Sequence, residues 1–322
     1  MSLFVISLDF ELFWGVRDSR GEEYYQQLLN VHEVVPKLLK LFEKYEISCT
    51  WATVGALGAE DYDAFIDSMP EKLPSYENKK FSPFNDLGGL TSLDARILFA
   101  PTLVKKINGT ERQELASHTF SHYYALEKGQ VIEEFEADLV ACSTTLSNNS
   151  STIKSLVFPR NQFNPEYLSA CKKNGYTTYR GNPSHWAYCA ENRKSRSALK
   201  RLFRFVDSYI PLSGSLRQRV MLDAKSGMVD VPASIFFRPY NPKLKFLEGL
   251  KLRRLKWSMT QTAKKGQVFH LWWHPHNFGK YSTENLMQVE DLLLHFSCLN
   301  KKYNFMSVTM DEAKNCFFEE NI

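Results

Sequence analysis

The sequence has no run approaching the roughly 20 consecutive apolar residues that a membrane-spanning helix requires, so no transmembrane segment is expected. It also has no CxxC pair. Its six cysteines (Cys49, Cys142, Cys171, Cys189, Cys298 and Cys316) are scattered without close spacing, which in a chain of 322 residues points to reduced thiols in a reducing compartment. The opening Met-Ser-Leu-Phe-Val-Ile-Ser-Leu-Asp lacks a basic start, a long apolar stretch and a cleavage site. No signal peptide is therefore expected, and the expected address is the cytoplasm. Net charge is small as well: 40 Lys and Arg against 36 Asp and Glu leave +4. That excludes a nucleic-acid protein driven by overall charge, and no nucleic-acid partner is expected. There is no internal repeat and no low-complexity segment. What the chain does have is rings, with 14% aromatic residues within a 43% hydrophobic and 24% charged composition. This is the balance of a globular protein with a sizeable core and a ring-lined groove.

Leu3 to Leu8 reads as a buried parallel strand, because it is apolar without alternation. Val31, Val34, Val35, Leu38, Leu39 and Phe42 recur at helical spacing, and Ile47–Val54 is β-rich and stops at Gly55. Strand, helix, strand is a βαβ unit with a right-handed crossover. Residues 56–111, broken by Pro70, Pro74, Pro83, Gly88, Gly89 and Pro101, read as an insertion of short helices. The pattern resumes with a strand near Glu114–Ser117, a helix over Val131–Leu146, a polar turn at 147–151 and a strand at Ile153–Phe158. A helix over Pro165–Asn174, capped by Gly175, comes next. Val229–Pro232 and Val268–Trp273 complete the visible strands, and Glu284–Leu299 is a patterned helix. Two stretches are basic, 192–219 and 243–265, each with eight Lys or Arg and one acid. They read as solvated helix faces, or else as a surface for anionic head groups or diphosphates aided by Leu199, Leu202, Phe203 and Val206.

Three clusters of polar groups stand at the ends of these strands. Asp9 and Glu11 follow the first, and alternate residues of an extended segment face the same way. His118-Thr119-Phe120-Ser121-His122 follows another, and in a helical turn an i, i+4 pair of imidazoles can grip one metal ion. His274-Pro275-His276 follows Leu271-Trp272-Trp273. Taken singly, each has an ordinary structural explanation: a cap, a chance spacing, a solvated turn. Taken together they favour a divalent-metal site, because ligands of parallel α/β proteins bind beyond the carboxyl ends of the strands. Two His and one carboxylate with an open position is the ligand set of a hydrolytic zinc centre. A second carboxylate as base and a further His as acid would complete an amide hydrolase.

The same residues carry a resemblance to the NodB-like polysaccharide deacetylases. Leu8-Asp9-Phe10-Glu11 is similar to that superfamily's first motif, in the variant branch with Asp-x-acid spacing, and Ser117–His122 resembles its metal-binding HxxxH. Thr50–Gly55 resembles the second strand, and Asn174–Gly181 the later helix-to-strand passage. Phe158–Phe163 stands where the family keeps an Arg- and Pro-containing loop, here in the order Pro-Arg. Val229–Pro232 is a loose counterpart of the fourth motif, lacking its Trp, and Trp273–His276 resembles the last. The resemblance covers about two-thirds of the chain and leaves 56–111 and most of 183–267 as insertions in one catalytic domain spanning 1–322.

It implies a distorted (β/α) barrel of about seven strands with Zn²⁺, or another divalent metal, at its mouth. Glu11, His118 and His122 would hold the metal, Asp9 would be the base and His274 the acid, with Arg160 in the catalytic loop. Asn161, through a nearby backbone N–H on the oxyanion, together with Trp273 and His276, would contact substrate, with either Trp272 or Trp273 stacking on a sugar ring. The implied reaction removes an N-acetyl or similar N-acyl group from a sugar, nucleotide- or lipid-linked, in surface-polysaccharide or lipopolysaccharide synthesis, with contact at the membrane surface. Two alternatives stay open: hydrolysis of another linear or cyclic amide, and a carbohydrate-binding relative without activity.

Overall fold

The apolar run after Met1 is too continuous to leave one face to water, and in the computed structural model it forms β1 (Ser2–Phe10), buried along its whole length. The structure describes residues 1–147, 152–192 and 197–320. The expected polar turn lies, beyond Ser147, outside the described residues. Nine further strands follow: β2 (Cys49–Thr53), β3 (Gln113–Ser117), β4 (Ser155–Leu156), β5 (Thr178–Tyr179), β6 (Met221–Leu222), β7 (Val229–Asp230), β8 (Ile235–Phe236), β9 (Val268–Trp273) and β10 (Phe305–Val308). Their order is β6-β7-β5-β4-β3-β2-β1-β9-β8, with β10 paired to the first half of β1. Every ladder is parallel except that between β6 and β7.

The sheet curls into a ring. Val229, Val231 and Ala233 donate their N–H groups to Thr177, Tyr179 and Gly181, and then Ser234 and Phe237 donate to His270 and Trp272. Segment 229–237 thus passes its hydrogen bonds from β5 to β9 and makes one barrel position out of β7 and β8. The ring runs β1, β2, β3, β4, β5, this segment and β9, which is the distorted seven-position (β/α) barrel that the sequence implies.

The helix Val31–Lys44 turns Val31, Val34, Val35, Leu38, Leu39 and Phe42 onto the sheet, as its periodicity requires. Gly175, at φ 88°, follows the helix Leu168–Lys173 in the left-handed cap conformation. Residues 56–111 form short helices, among them Tyr62–Asp67, Leu87–Thr91, Ala95–Leu98 and Pro101–Asn108. Phe65, Leu90, Ile97 and Leu103 from this stretch join the main core cluster. Trp14 donates from Nε1 to the Leu98 carbonyl at 2.8 Å, tying the stretch beneath the mouth of β1. Of the basic stretches, the second forms the helix Lys245–Lys265 and spends much of its charge internally. Lys251 pairs with Glu248 at 2.6 Å, Arg254 with Asp207 at 3.7 Å and Lys256 with Asp291 at 2.6 Å.

Candidate active site

β1 delivers Asp9 to the carboxyl end of the barrel, and the chain then breaks at Glu11 to start the short helix Leu12–Val16. Both acids are almost wholly buried, Asp9 at 2% and Glu11 at 4% exposure. They share a site: His274 Nε2 lies 3.7 Å from Asp9 Oδ2 and 3.7 Å from Glu11 Oε1.

Glu11 is ringed by imidazoles. Its Oε2 lies 3.0 Å from His122 Nε2 and 3.4 Å from His118 Nε2, and its Oε1 lies 3.0 Å from His276 Nε2. Two donor sets therefore converge on it, Glu11–His118–His122 and Glu11–His274–His276. The His pair of the HxxxH motif is not on a helical turn, as its spacing suggested. Residues 118–122 form an irregular loop in which Thr119 and His122 take φ of 60° and 59°. Asp138 of the helix Ile132–Ser147 holds that loop, accepting from the backbone N–H groups of Phe120 (2.6 Å) and Ser121 (3.2 Å) and from the Ser121 hydroxyl. The two rings end 5.1 Å apart.

The fit to a cation is visible in the lone pairs. His118 Nδ1 donates to the Val157 carbonyl at 2.8 Å, and its Nε2, buried and without a hydrogen-bond partner, faces the carboxylate. Burial pushes His122 down to about 3, so its ring is neutral. Burial also pushes the Glu11 carboxyl up, but His274, His122 and His118 outweigh it and hold Glu11 well below the usual carboxylate range. A buried anion facing buried ring nitrogens, one of them unpartnered, is a site that a divalent cation would complete.

Asp9 has a different partner. Arg180, directly after β5, grips both its oxygens, Nη1 to Oδ1 at 2.7 Å and Nη2 to Oδ2 at 2.9 Å. The guanidinium lies 4.5 Å over the Trp272 ring and donates further to Asn161 Oδ1 (2.8 Å) and Ser7 Oγ (2.9 Å). Behind it, His270 Nε2 lies 2.8 Å from Ser7 Oγ, and its Nδ1 lies 3.0 Å from the Val231 carbonyl. With His270 pushed by burial to about 3, the ring is neutral: Nδ1–H donates to the carbonyl and Nε2 accepts the Ser7 hydroxyl. Burial pushes the Asp9 carboxyl up, and Arg180, with His118 and His274, more than reverses it.

His274 is the imidazole on the open side, its side chain 23% exposed against 0% for His118 and 1% for His122. Asn277 Nδ2 donates to its Nδ1 at 3.2 Å, which puts the proton of the neutral ring on Nε2, the atom facing both acids. Burial lowers its pKa.

Four expected site residues sit differently from their reading in the sequence. Arg160 turns its guanidinium to Asp18 and over the Tyr124 ring, 4.3 Å to the centroid, so the arginine on Asp9 is Arg180 instead. Trp273 is wholly buried, stacked on Phe278 at 5.6 Å: strand alternation sends it into the core and turns Trp272 toward the site. His276 is 5% exposed and bonded to Tyr24 Oη at 2.7 Å, and so belongs to the ring around Glu11 rather than to an open groove. The Asn161 N–H already donates to the Phe158 carbonyl at 3.0 Å, which removes it as an oxyanion donor, while the Asn161 side chain holds Arg180. Arg180, Ser7, His270 and Tyr24 went unread in the sequence. The one available signal was that Arg180 stands near the end of the helix-to-strand passage Asn174–Gly181, directly after β5.

Residues 23–179 match the family described as polysaccharide deacetylase. The fold is shared with a Mycobacterium smegmatis protein assigned to the polysaccharide deacetylases, at TM-score 0.60 and 10% identity over 99% of this chain and 92% of that one. A Pyrococcus horikoshii branching enzyme of glycoside hydrolase type 57 (TM-score 0.56, 11% identity) aligns over 98% of this chain and 70% of its own. A Thermotoga maritima α-amylase does so at the same TM-score and identity, over 98% and 74%. At such identities the likeness is one of fold. Among curated proteins none matches this sequence.

Proposed function

We propose that this chain, whose residues 23–179 match the polysaccharide deacetylase family, removes an N-acetyl or similar N-acyl group from a sugar. The observation that carries the reading is the Glu11 carboxylate set among His118, His122, His274 and His276, with the Asp9–Arg180 pair beside it. Glu11, His118 and His122 would hold a divalent cation, zinc first by the softness of its nitrogen donors. When bound, such an ion supplies Lewis acidity to the scissile carbonyl and acidifies water. The chain's own groups do the rest. Asp9 accepts the proton of the attacking water. Arg180 keeps that carboxylate ionised and fixes its direction. His274, in its protonated form, gives a proton to the departing amine, and the pKa lowered by burial makes it a stronger acid. The sugar is an intermediate of surface-polysaccharide or lipopolysaccharide synthesis.

Glycoside cleavage on the same barrel would need one of the two acids kept protonated as general acid. Both Asp9 and Glu11 are instead held below their ordinary range, which favours amide hydrolysis.

The test separates base from cage. Asp9→Asn is expected to keep its metal stoichiometry, read by elemental analysis, and to lose about 10²–10⁴-fold in acetate release from N-acetylated sugars. Wild-type rates in that variant would remove Asp9 from the reaction. His118→Ala and His122→Ala are expected to lose the metal itself, and full retention in both would dismantle the proposed centre.

A further inference from the structure

A cavity of about 380 Å³ has an inner wall formed by Asn161, Trp272 and Phe236. It is one hydrogen bond from the reaction centre, since Asn161 Oδ1 accepts from the same Arg180 that grips Asp9. The outer wall is cationic: Arg201 and Arg204 from the helix Ala198–Asp207, and Arg238 from the strand-end segment after β8. The two acids on that wall are already engaged. Glu191 pairs with Lys200 at 2.8 Å. Asp207 accepts from Tyr188 Oη (2.7 Å) and the Ser213 N–H (2.7 Å) and faces Arg254 at 3.7 Å. Arg201, Arg204 and Arg238 form no ion pair among the described residues. Arg238 lies over the Phe205 ring at 5.2 Å, half-buried, and both its burial and the nearby Arg204 charge press its pKa down. Three guanidinium groups on one concave wall, none with an ion-pair partner of its own among the described residues, make a positive field that favours an anion.

We propose that this cavity is the subsite for a phosphate or diphosphate joined to the sugar, so that the substrate is a phosphate-linked sugar with its N-acyl group toward Asp9 and His274. This rests on the deacylation reading for the sugar and its orientation, while the anion site itself does not depend on catalysis. Phosphate suits the wall better than a carboxylate does. Its oxygens accept several forked guanidinium pairs at once, and a diphosphate carries enough negative charge to balance three cations. The aromatic inner wall, Trp272 and Phe236 with ring centroids 4.7 Å apart, offers apolar faces to the sugar between the phosphate and the reacting amide. The wall draws on the first basic stretch, in its described part, and on Arg238. The second stretch contributes no arginine to it.

The experiment is isothermal titration calorimetry of the full chain with inorganic pyrophosphate at fixed ionic strength. Wild type is expected to bind saturably, and Arg201→Gln/Arg204→Gln, on a solvent-facing helix, to bind at least tenfold more weakly with an unchanged melting curve. Arg238→Lys, which keeps the charge and loses the fork, is expected to weaken binding as well. Lys301→Gln, on the helix Ser282–Tyr303, controls for general charge and is expected to bind like wild type. No saturable binding by wild type, or equal binding by the double variant, overturns the subsite. Asp9→Asn is expected to bind pyrophosphate normally, so the subsite can stand even where acetate release fails, and can fail where release succeeds. Two arms identify the source: uridine diphosphate binding tighter than pyrophosphate assigns a nucleotide-linked sugar. Arginine-dependent sedimentation with phosphatidylcholine vesicles containing a polyprenyl diphosphate, but not with vesicles lacking it, assigns a lipid-linked one.

Discussion

Glu11 is held in place as much by a missing side chain as by its neighbours. Gly15, one helical turn on, leaves the space its carboxylate fills, and a methyl group built there would overlap that carboxylate. Gly15→Ala should therefore separate metal affinity from stability. Within the helix Leu12–Val16, alanine is favoured over glycine by about 0.5–1 kcal/mol, so the fold should tolerate it. The displaced Glu11 should cost at least tenfold in divalent-metal affinity, measured by competition with a chromophoric chelator, while the thermal midpoint holds or falls by only a few degrees. Unchanged affinity would mean that Glu11 does not need the position seen here. The same scale shows what single residues reveal in a sequence. Asp9, Glu11, His118, His122 and His274 announce themselves because charged and imidazole groups directly after apolar runs are chemically out of place. Arg180 does not, because β5 has only two residues and sets up no alternation against which an arginine would stand out. The Trp272–Trp273 choice failed for a related reason: both neighbours are indoles, and only the pairing with β1 decides which one faces the core.

Elements make the site geometric. The loop 118–122 has no regular hydrogen bonding of its own, and the helix Ile132–Ser147 supplies the missing acceptor through Asp138, itself fully buried. Spacing alone suggested a helical turn for the two histidines, because an i, i+4 pair reads the same whether a helix or a pinned loop carries it. Asp138 was legible only as part of an amphipathic helix. Burial pushes its carboxyl up to about 6, while hydrogen bonds from Ser121 and Phe120 pull it down. Its folded pKa is thus above the ordinary 3.8, so the folded state binds the extra proton. Stability contributed by that proton is full at low pH and is lost as pH rises from about 4 through 6. Asp138→Asn keeps one acceptor oxygen, faces the N–H donors with an amide, and has no such titration. The variant should be less stable than wild type at pH 4, by about 1–3 kcal/mol in urea unfolding. Its deficit should shrink by up to about 3 kcal/mol at pH 7, the free energy of the two-unit shift, and metal affinity should fall at both pH values. A deficit that does not change with pH would show that Asp138 is not held above its ordinary pKa.

At the scale of the whole molecule, the barrel separates stability from chemistry along its axis. The carboxyl ends of β1, β3, β5 and β9 carry Asp9, His118, Arg180 and His274, while the opposite end of β1 is closed by rings. Phe4 is fully buried there, with ring centroids 6.2 Å from Phe269, 5.0 Å from Phe296 and 5.6 Å from Phe305. β10, which brings Phe305, was not read in the sequence: four residues after Asn304 in the left-handed region give too short a pattern. β1, β2 and β9 were legible because each apolar run can be buried only inside a parallel sheet, while the barrel itself was implied by the resemblance. Its closure was not legible, because segment 229–237 changes partners midway and reads as two fragments. Residues that fill the bottom of such a barrel serve folding, and those at the mouth serve reaction. Phe4→Ala therefore offers the clean separation. Removing that ring should cost about 3–5 kcal/mol in chemical unfolding, a sum of lost burial and the cavity left among three phenylalanines. Below its unfolding midpoint the variant should bind one metal equivalent with wild-type affinity and release acetate at the wild-type rate per folded molecule. A parallel loss of metal affinity would show that the two ends of β1 are coupled, and the axial division of labour would have to be abandoned.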